Sequence, residues 1–347
     1  MRMFNLLGET QALTDAKIQE ITNALYEYKG RFGHGENKPK EVLDHLLKQA
    51  IIQSTLASNR LEGILTSEAR GEAVLSGTLS PNTRSENELL GYQKVLKKIH
   101  RHYATIEITP QTILALHREM YSFEPVDFAG QYKTDDNVIQ EISLDGKKTT
   151  RFVPTNHFET SMSLHELCSS YREALRKNPA RALLLIPVFI LDFLCIHPFK
   201  DGNGRISRLL TLLLLYQAGF DVGRYISLER MIEETKEGYY ETLHESSKGW
   251  HESQNDSLPF AQYLLSVILG CYRTFEDRIQ NVENKENKTR RVQLFFEGHL
   301  GNATKKEIQE YCPDISLATI ELALAKLVKS GYLEKISGGR FASYRKK

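Results

Sequence analysis

The second half of the chain contains three consecutive segments, RALLLIPVFILDFLCI (181–196), HPFKDGNG (197–204) and RISRLLTLLLLYQA (205–218). The first and third segments are apolar almost all round, which is typical of helices buried in the middle of an α-helical domain. The segment between them is short and polar, and a polar turn between two central helices is a place where a binding site can form. The sequence therefore predicts a buried helix pair with a functional turn at its junction.

Helical periodicity continues outward from this pair along most of the chain. One-sided apolar stripes predict amphipathic helices over residues 15–28 and 40–61. Further helices are expected over about 85–122, from about 157, and over 236–248 and 258–280. Strand alternation predicts a β-hairpin at 138–144 and 149–153, because Asp145-Gly146 supplies the positive φ angles that a tight turn needs.

The last part of the chain has a pattern of its own. Residues 278–291 carry almost no apolar residue, so a domain boundary is expected near 286. Helices are predicted at 290–300 and 316–330, with a third opened between them by the capping box Thr304-x-x-Glu307. Two short strands around Ser337-Gly338-Gly339 complete a pattern typical of a winged-helix domain. The expected division is therefore an N-terminal helical region over 1–100, a core over 101–285 and a winged-helix-like domain over 286–347.

Composition excludes several classes of protein. With 347 residues, 41% of them hydrophobic and 26% charged, the chain has the composition of a soluble globular protein of two or three domains, not of a disordered or fibrous one. The 45 basic and 44 acidic residues nearly cancel, so the whole chain has no general attraction to nucleic acid or acidic membranes. Residues 288–347 alone contain 12 basic and 6 acidic residues, which indicates a separate partner for this region.

Cysteine spacing and hydropathy favour a cytoplasmic protein. The four cysteines form no Cys-x-x-Cys pair, so neither a zinc site nor a disulfide framework is expected. The first residues, MRMFNLLGETQ, lack the apolar stretch of a secretion signal. The runs 182–196 and 209–218 are expected to be too short to span a bilayer, and no membrane partner is predicted.

The polar residues after the first core helix suit phosphate chemistry. Gly202 and Gly204 allow the backbone to approach a ligand closely, so that successive N–H groups can converge on an anion at the start of the next helix. Arg205 and Arg208 lie three residues apart, so both can project from one helix face toward phosphate oxygens. Asp201 offers the hard oxygen that Mg²⁺ prefers. His197 ordinarily titrates near neutrality and is suited to take a proton from a hydroxyl. The alternative is a plain turn in which His197 caps the helix.

These residues form the sequence His197-Pro-Phe-Lys-Asp201-Gly-Asn203-Gly-Arg205-Ile-Ser-Arg208. It resembles the signature of the Fic (filamentation induced by cAMP) family, His-x-Phe-x-Asp/Glu-Gly-Asn-Gly-Arg-x-x-Arg, at every position. The resemblance implies an all-α Fic fold, a helical bundle around a central motif helix, that transfers AMP from ATP to a Tyr, Thr or Ser hydroxyl of a target protein. It also assigns roles: His197 is the base, Asp201 holds Mg²⁺, Gly202, Asn203 and Gly204 bind the α- and β-phosphates, and Arg205 and Arg208 meet the β- and γ-phosphates.

The resemblance extends over roughly residues 10–280. Gly130-Gln-Tyr-Lys133 and Arg151-Phe-Val-Pro-Thr155 are similar to the family's segments beside its flap hairpin, which implies that Val138, Ile139, Phe152 and Val153 dock an extended segment of the target. An ordinary hairpin is the alternative. Tyr239, Tyr240, Leu243 and Ser247 share one helix face and resemble the family's adenine pocket, although some relatives have Asn in place of Ser247. Core packing is the rival explanation for each of these four residues.

A segment before the core resembles the family's inhibitory motif, Ser/Thr-x-x-x-Glu-Gly/Asn. It reads Ser58-Asn-Arg-Leu-Glu62-Gly63 and ends a helix over about 40–63, with Gly63 as the residue just past the helix end. A pair between Glu62 and Arg208 would occupy the guanidinium that the γ-phosphate needs, so a resting enzyme of low activity is expected. When released, the enzyme is expected to modify itself as well as its target protein. Without this motif, Glu62 would be interpreted as an ordinary solvent-exposed residue of a helix. It can equally serve a reverse reaction that removes AMP.

Two further questions stay open in the sequence. The winged-helix pattern suggests DNA binding by residues 286–347, with Lys335, Arg340, Arg345, Lys346 and Lys347 meeting phosphates, yet its candidate recognition helix carries few cations. The rival function is therefore a nucleotide-sensing transcriptional regulator. A Fic enzyme with another phosphate-transfer chemistry is the other alternative. A homodimer is possible, since an interface can control an inhibitory helix.

Overall fold

The computed structural model describes residues 4–32, 40–142, 148–283, 288–299, 301–337 and 342–347, and most of them are α-helical. The helices are α1 (Leu6–Ala12), α2 (Ala16–Phe32), α3 (Lys40–Leu61), α4 (Glu68–Leu75), α5 (Arg84–His102), α6 (Pro110–Met120), α7 (His157–Lys177), α8 (Ala182–Ile196), α9 (Asn203–Gln217), α10 (Leu228–Glu234), α11 (Lys236–Ser247), α12 (Leu258–Glu283), α13 (Lys288–Gly298), α14 (Lys305–Tyr311) and α15 (Leu317–Lys329). The strands are β1 (Ile139–Ile142), β2 (Lys148–Phe152), β3 (Ala303–Thr304), β4 (Leu333–Lys335) and β5 (Ser343–Lys346).

The chain divides into two compact units. One comprises Met1–His34 and Ala50–Cys271, and the other comprises Gly35–Gln49 and Tyr272–Lys347. This division differs from the three regions expected from the sequence, because α12 continues as one helix into the polar stretch that suggested a boundary near 286. Residues 35–49 also group with the C-terminal part of the chain.

The buried helix pair predicted at the centre of the sequence is α8 and α9. Nearly every side chain of both helices is buried, including Phe189, Phe193 and Leu212 at 0% exposure. Burial on all sides explains why neither segment is amphipathic. The motif turn lies between these two helices, and residues from several parts of the chain fix its geometry.

One helical stretch, Pro179–Ile196, is long and apolar enough to cross a membrane by length and composition. The expectation that this run is too short was therefore wrong, because a turn before α8 extends the helical stretch to 18 residues. In the structure, 72% of this stretch is buried inside the protein.

The predicted hairpin is present as β1 and β2, which pair antiparallel with Ile139 opposite Phe152. β1 begins one residue later than predicted and β2 ends one residue earlier, so Val138 and Val153 lie just outside them and are 47% and 53% exposed. The predicted turn at Asp145-Gly146 lies outside the described residues. His251 Nε2 lies 2.8 Å from the Val153 carbonyl oxygen, a contact that connects the end of the hairpin to the turn after α11.

The C-terminal part of the chain contains α13, α14 and α15 and a three-stranded antiparallel sheet in the order β3-β5-β4. Helix α14 begins at a capping box, in which Thr304 Oγ1 accepts from the Glu307 backbone N–H and the Glu307 side chain accepts from the Thr304 backbone. Val292, Phe296, Ile308, Ile320 and Leu324 belong to one apolar core. This region therefore has its own apolar cluster, as a separately packed module requires.

Candidate active site

His197 lies where α8 ends, in a left-handed backbone conformation with φ 52° and ψ 62°. Its Nδ1 lies 3.2 Å from the Leu194 carbonyl oxygen. Only a protonated Nδ1 can donate to that oxygen, so this contact leaves the lone pair on Nε2. Burial lowers the pKa of His197 to about 4. The imidazole is therefore neutral at pH 7 and able to accept a proton.

Asn203 closes the turn between the two core helices. Its Oδ1 accepts from the Phe199 backbone N–H (2.9 Å) and its Nδ2 donates to the Phe199 carbonyl oxygen (2.8 Å). The side chain is 2% exposed. The amide group is thus committed to holding the turn, and any phosphate contact by Asn203 falls to its backbone.

The two motif glycines are required for different reasons. Gly202 has a φ of 83°, in the left-handed region that side chains rarely adopt. Gly204 is helical, but a Cβ added there would lie 2.1 Å from Glu62 Oε1. A side chain at residue 204 would therefore collide with the carboxylate that lies against the start of α9.

Arg208 is held by the end of α3. Its Nε donates to Ser58 Oγ, and its Nη2 donates to both the Ser58 carbonyl oxygen and Glu62 Oε1, all at 2.8 Å. Burial alone would lower the pKa of this guanidinium, but the negative charge of Glu62 raises it above its ordinary value. The structure thus contains the Glu62–Arg208 pair that the sequence predicted.

Arg205 does not share these surroundings. Its Nη1 donates to Glu88 Oε2 (2.5 Å), and its Nη2 donates to the Tyr121 hydroxyl (2.7 Å) and lies 3.3 Å from Asp201 Oδ2. The side chain is 1% exposed. The two motif arginines thus have different partners, Glu88 and Tyr121 for Arg205 but Ser58 and Glu62 for Arg208. That both arginines meet phosphates stays a prediction.

Asp201 keeps its carboxylate half-exposed, at 47%. Oδ1 accepts from the Gly202 backbone N–H at 2.6 Å, and Oδ2 accepts from the Tyr121 hydroxyl at 2.9 Å. Within the described residues, no group of three or more His, Cys, Asp or Glu side chains is arranged to hold a metal ion.

Sequence reasoning missed a buried lysine before the motif. Lys133, within the quoted segment Gly130-Gln-Tyr-Lys133, donates through Nζ to Asn137 Oδ1 (2.9 Å) and to the Ile196 carbonyl oxygen (3.2 Å). Its backbone N–H donates to the Pro198 carbonyl oxygen at 2.9 Å. Burial lowers the pKa of Lys133 to about 8. The lysine therefore fixes the backbone on both sides of His197, a role that its spacing in sequence could not reveal.

A cavity of about 440 Å³ lies beside this turn and brings most of the predicted site together. Its wall includes predicted residues from the motif, the α3 end, the hairpin and α11: His197, Gly204, Arg208, Glu62, Ile139, Phe152, Tyr239, Tyr240, Leu243 and Ser247. It also includes Arg151, from the segment quoted beside the hairpin, and residues that the sequence analysis did not name: Gln140, Leu191, Leu194, Cys195 and His244. The other predicted site residues are outside this lining: Ser58, Gly63, Val138, Val153, Asp201, Gly202, Asn203 and Arg205.

The α11 wall of the cavity is aromatic and partly polar. Tyr239 is 3% exposed, while Tyr240 is 45% exposed and donates through its hydroxyl to the Leu61 carbonyl oxygen (3.1 Å). Ser247 Oγ donates to the His244 carbonyl oxygen at 2.9 Å within the same helix. Tyr239 and Tyr240 thus present ring surfaces to the cavity, whereas the Ser247 proton is used locally.

The end of α3 is built as the sequence predicted. Gly63 has a φ of 75°, and the Ile64 N–H donates back to the Asn59 carbonyl oxygen at 3.0 Å. A glycine in this conformation ends a helix without steric strain. Arg60 donates from Nε and Nη2 to the two carboxylate oxygens of Glu233, at 2.5 and 2.7 Å. Ser58 and Glu62 are therefore presented to Arg208 by a firmly terminated helix.

The sequence is similar to that of proteins of known family. Residues 107–215 match the sequence model of the Fic/DOC family. "Protein adenylyltransferase fic-1" of Caenorhabditis elegans is 24% identical over 293 residues, which cover 80% of this chain and 52% of that protein. "Protein adenylyltransferase Fic" of Aedes aegypti is 25% identical over 223 residues, covering 62% and 40%. The chain thus spans about half the length, or less, of these curated relatives.

Solved structures share the fold. A Fic family protein from Desulfovibrio desulfuricans G20 superposes with a TM-score of 0.61 at 17% identity, covering 96% of each chain. Fic-1 (aa134–508) from C. elegans has a TM-score of 0.63 at 18% identity, covering 78% of this chain and 76% of that one. The matched residues include α8, the motif turn and most of α9. This chain is therefore similar to Fic family proteins, in sequence over residues 107–215 and in fold.

Proposed function

We propose that this protein is an autoinhibited, Mg²⁺-dependent adenylyltransferase that transfers AMP from ATP to a Tyr, Thr or Ser hydroxyl of a target protein. One observation carries the proposal: a single cavity joins a neutral His197, the glycine turn at the start of α9 and the aromatic wall of α11. The names of the similar proteins, which are protein adenylyltransferases, support the same activity.

The proposed transfer requires a base and a place for phosphates. The target hydroxyl attacks the α-phosphorus of ATP, the new O–P bond forms, and the bond to the bridging oxygen breaks to release pyrophosphate. His197 Nε2 takes the hydroxyl proton, which its lowered pKa allows at neutral pH. The N-terminus of α9 directs backbone N–H groups toward the phosphates, a position that favours negative charge.

The residues present fit a magnesium ion. Mg²⁺ is usually held by one or two carboxylates together with substrate phosphates and water, and Asp201 offers one half-exposed carboxylate oriented by two hydrogen bonds. When bound there, the ion would neutralise charge on the phosphates. The protein's own part is to hold Asp201 in place beside the turn.

The hairpin is the proposed docking surface for the target. Ile139 and Phe152 line the cavity, while Val138 and Val153 stand exposed beside them. A two-stranded sheet has unpaired backbone groups at its edges, so an extended target segment can add as a further strand. Such pairing would bring a side-chain hydroxyl on that segment toward His197.

Autoinhibition rests on the α3 end. Glu62 occupies Arg208 through a charged hydrogen bond and lies against Gly204, where the phosphates would enter. A carboxylate in this position competes with the γ-phosphate for the same guanidinium. ATP would then bind only in an unproductive pose, so the resting activity is low.

The C-terminal region is proposed to be a winged-helix module, on the strength of its three helices and three-stranded sheet. Several of its cations are already paired: Lys305 with Glu321 and Arg345 with Glu334, each at 2.6 Å. Leu322, on α15, is 66% exposed. These pairings and this apolar surface disfavour phosphate contacts, so adenylyl transfer is preferred over a DNA-binding regulator as the function.

The deciding experiment compares wild type, Glu62→Gly and Glu62→Gly/His197→Ala, each incubated with Mg²⁺ and ATP labelled on the α- or the γ-phosphate and examined by intact mass. The proposal expects AMP with retained α-label on Glu62→Gly alone, and none when Mg²⁺ is chelated. Retention of γ-label would overturn it in favour of a kinase-like pose. Absence of label from every variant, together with salt-sensitive DNA binding by the full chain, would favour the regulator instead.

A further inference from the structure

Two side chains of α6 hold one residue of the motif turn. His117 Nε2 lies 3.0 Å from the Asp201 carbonyl oxygen, and the Tyr121 hydroxyl lies 2.9 Å from Asp201 Oδ2. His117 lies in the last turn of α6 and Tyr121 directly follows the helix. Because they are four residues apart, they lie on the same side of it. Both are buried, with exposures of 0% and 2%. Asp201 is thus fixed at its backbone and at its carboxylate from the same element.

The direction of the His117 contact follows from its other nitrogen. The Gly130 backbone N–H donates to His117 Nδ1 at 2.8 Å, so Nδ1 carries no proton. Nε2 therefore carries it and donates to the Asp201 carbonyl oxygen. The ring also stacks on Phe199 with centroids 3.8 Å apart and planes inclined by 3°. Hydrogen bonds on both nitrogens and this stacking leave the imidazole one orientation.

The Tyr121 contact also has a single direction. Arg205 has only donors, so its bond to the Tyr121 hydroxyl makes that oxygen the acceptor. The hydroxyl proton is then free to point at Asp201 Oδ2. Glu88 in turn accepts from Arg205 at 2.5 Å. A directed chain therefore runs from Arg205, anchored by Glu88, through Tyr121 to the carboxylate.

We infer that Tyr121 is a positioning residue that sets the orientation of the Asp201 carboxylate for a divalent cation bound with nucleotide, and that Arg205 acts through Tyr121 instead of contacting phosphate. This inference rests on the proposed function. Partners that orient a metal ligand typically change metal affinity 10–100-fold when removed. Loss of the Tyr121 hydroxyl leaves the carboxylate with its own backbone contact at Gly202 and a longer one to Arg205.

The test deletes the hydroxyl and keeps the ring. In a Glu62→Gly background, Mn²⁺ binding with ATP is measured by electron paramagnetic resonance, and ATP binding without metal by calorimetry. Tyr121→Phe is expected to weaken Mn²⁺ binding about tenfold and to leave metal-free ATP affinity unchanged. The matched control is Tyr26→Phe, which also loses one hydroxyl bond, to the Ala180 carbonyl oxygen at 3.0 Å, far along the chain from the motif. The control should bind Mn²⁺ as the parent does.

Arg205→Lys tests whether Arg205 contacts phosphate or acts through Tyr121. Lysine keeps the positive charge beside Glu88 but lacks the forked guanidinium that also reaches the Tyr121 hydroxyl. We expect weaker Mn²⁺ binding with unchanged metal-free ATP affinity. A loss of metal-free ATP affinity would mean that Arg205 contacts phosphate and would overturn that part of the inference. Unchanged Mn²⁺ binding in Tyr121→Phe would overturn the rest. If the Glu62→Gly parent bound no nucleotide at all, the proposed function itself would fail.

Discussion

His197 has a backbone conformation that β-carbon-bearing residues seldom adopt. Its φ of 52° ends α8, and the preference against this region is of order 1–2 kcal/mol per residue. The buried surroundings of α8 and α9, and the contacts of Lys133 on either side, hold the turn in place. Because the Nδ1 contact fixes the imidazole, the lone pair of Nε2 points in one direction, from which it accepts a proton.

The lowered pKa of His197 predicts the pH dependence of catalysis. Since burial lowers the pKa from 6.5 to about 4, the free enzyme keeps a neutral imidazole through the physiological range. We expect kcat/KM for ATP in Glu62→Gly to stay level as the pH falls toward about 5 and to decline as the pH approaches about 4. Initial rates of self-modification across this range provide the measurement, with circular dichroism to confirm folding at each pH. An inflection near 6.5 would contradict the lowered pKa of His197.

The two motif arginines show where sequence reasoning reaches its limit. A spacing of three residues correctly places both on neighbouring positions of α9. Their partners come from elsewhere: Glu88 is 117 residues away from Arg205 and Glu62 is 146 residues away from Arg208. The second partner was predictable because it belongs to a recognisable motif. Glu88, Tyr121 and His117 carry no motif, so only the packing of α5 and α6 on the turn reveals them.

At the level of elements, α10 and α11 hold the end of α3. Glu233 on α10 receives both Arg60 hydrogen bonds, and Tyr240 on α11 donates to the last carbonyl group of α3 at Leu61. The sequence predicted α3 and its glycine stop from local signals alone. These contacts were not predictable, since each joins residues more than 170 positions apart.

The Arg60–Glu233 pair predicts partial release of inhibition. Glu233→Gln removes the charge while preserving size, so the end of α3 is held less firmly and Glu62 leaves Arg208 more often. A partly exposed ion pair stabilises by up to about 1 kcal/mol, so its loss should increase the rate of self-modification about fivefold. This increase is well below the increase expected for Glu62→Gly. Labelled AMP incorporation measures it.

The adjacent Glu234 supplies the matched control. Glu234 pairs with Arg230 on the surface of the same helix, with its side chain 56% exposed, so Glu234→Gln makes the same charge change without touching α3. It should leave the rate at the wild-type level. An equal gain from both substitutions, or a gain from Glu233→Gln in the Glu62→Gly background, would show that the effect does not pass through Glu62.

For the whole molecule, buried and partly buried histidines couple stability to pH. Burial lowers the pKa of His100 to about 3 and those of His117 and His197 to about 4. The unfolded chain binds protons near 6.5, so it takes up more protons than the folded protein below that pH. Stability from these residues is therefore complete above about 6.5 and falls as the pH is lowered toward the folded values.

His100 provides the sharpest test of this coupling. Among the described residues neither of its ring nitrogens has a hydrogen-bond partner, and the ring packs edge-on against Tyr216 at 5.5 Å. Besides burial, the positive charge of Arg224 contributes to its lowered pKa. The free energy of unfolding, measured with urea, is plotted against pH between 6.5 and 5. His100→Phe should reduce the slope of this plot by up to about 1.4 kcal/mol per pH unit. His102→Phe, on the exposed surface of the same helix, should leave the slope as it is; equal slopes in all three proteins would contradict the coupling.

At this scale the sequence predicted the helical class, the central helix pair and the C-terminal elements, because each follows from local periodicity and capping. It did not predict the division into units. Residues 35–49 and 272–347 form one unit although more than 200 residues separate them in the chain, and no local signal in either segment records that association.

The contact between Glu62 and Gly204 also limits how this protein can change over evolutionary time. Glu62 occupies the space that a side chain at residue 204 would need, since a Cβ there would lie 2.1 Å from Glu62 Oε1 and the carboxylate would have to move. In the proposed mechanism the same empty space admits the nucleotide's phosphates. In that mechanism a substitution at Gly204 that displaced Glu62 would also narrow the space for the phosphates, so it would not produce a constantly active enzyme. Such variants should instead arise by changes at residues 58–63, which alter regulation and leave the catalytic turn intact.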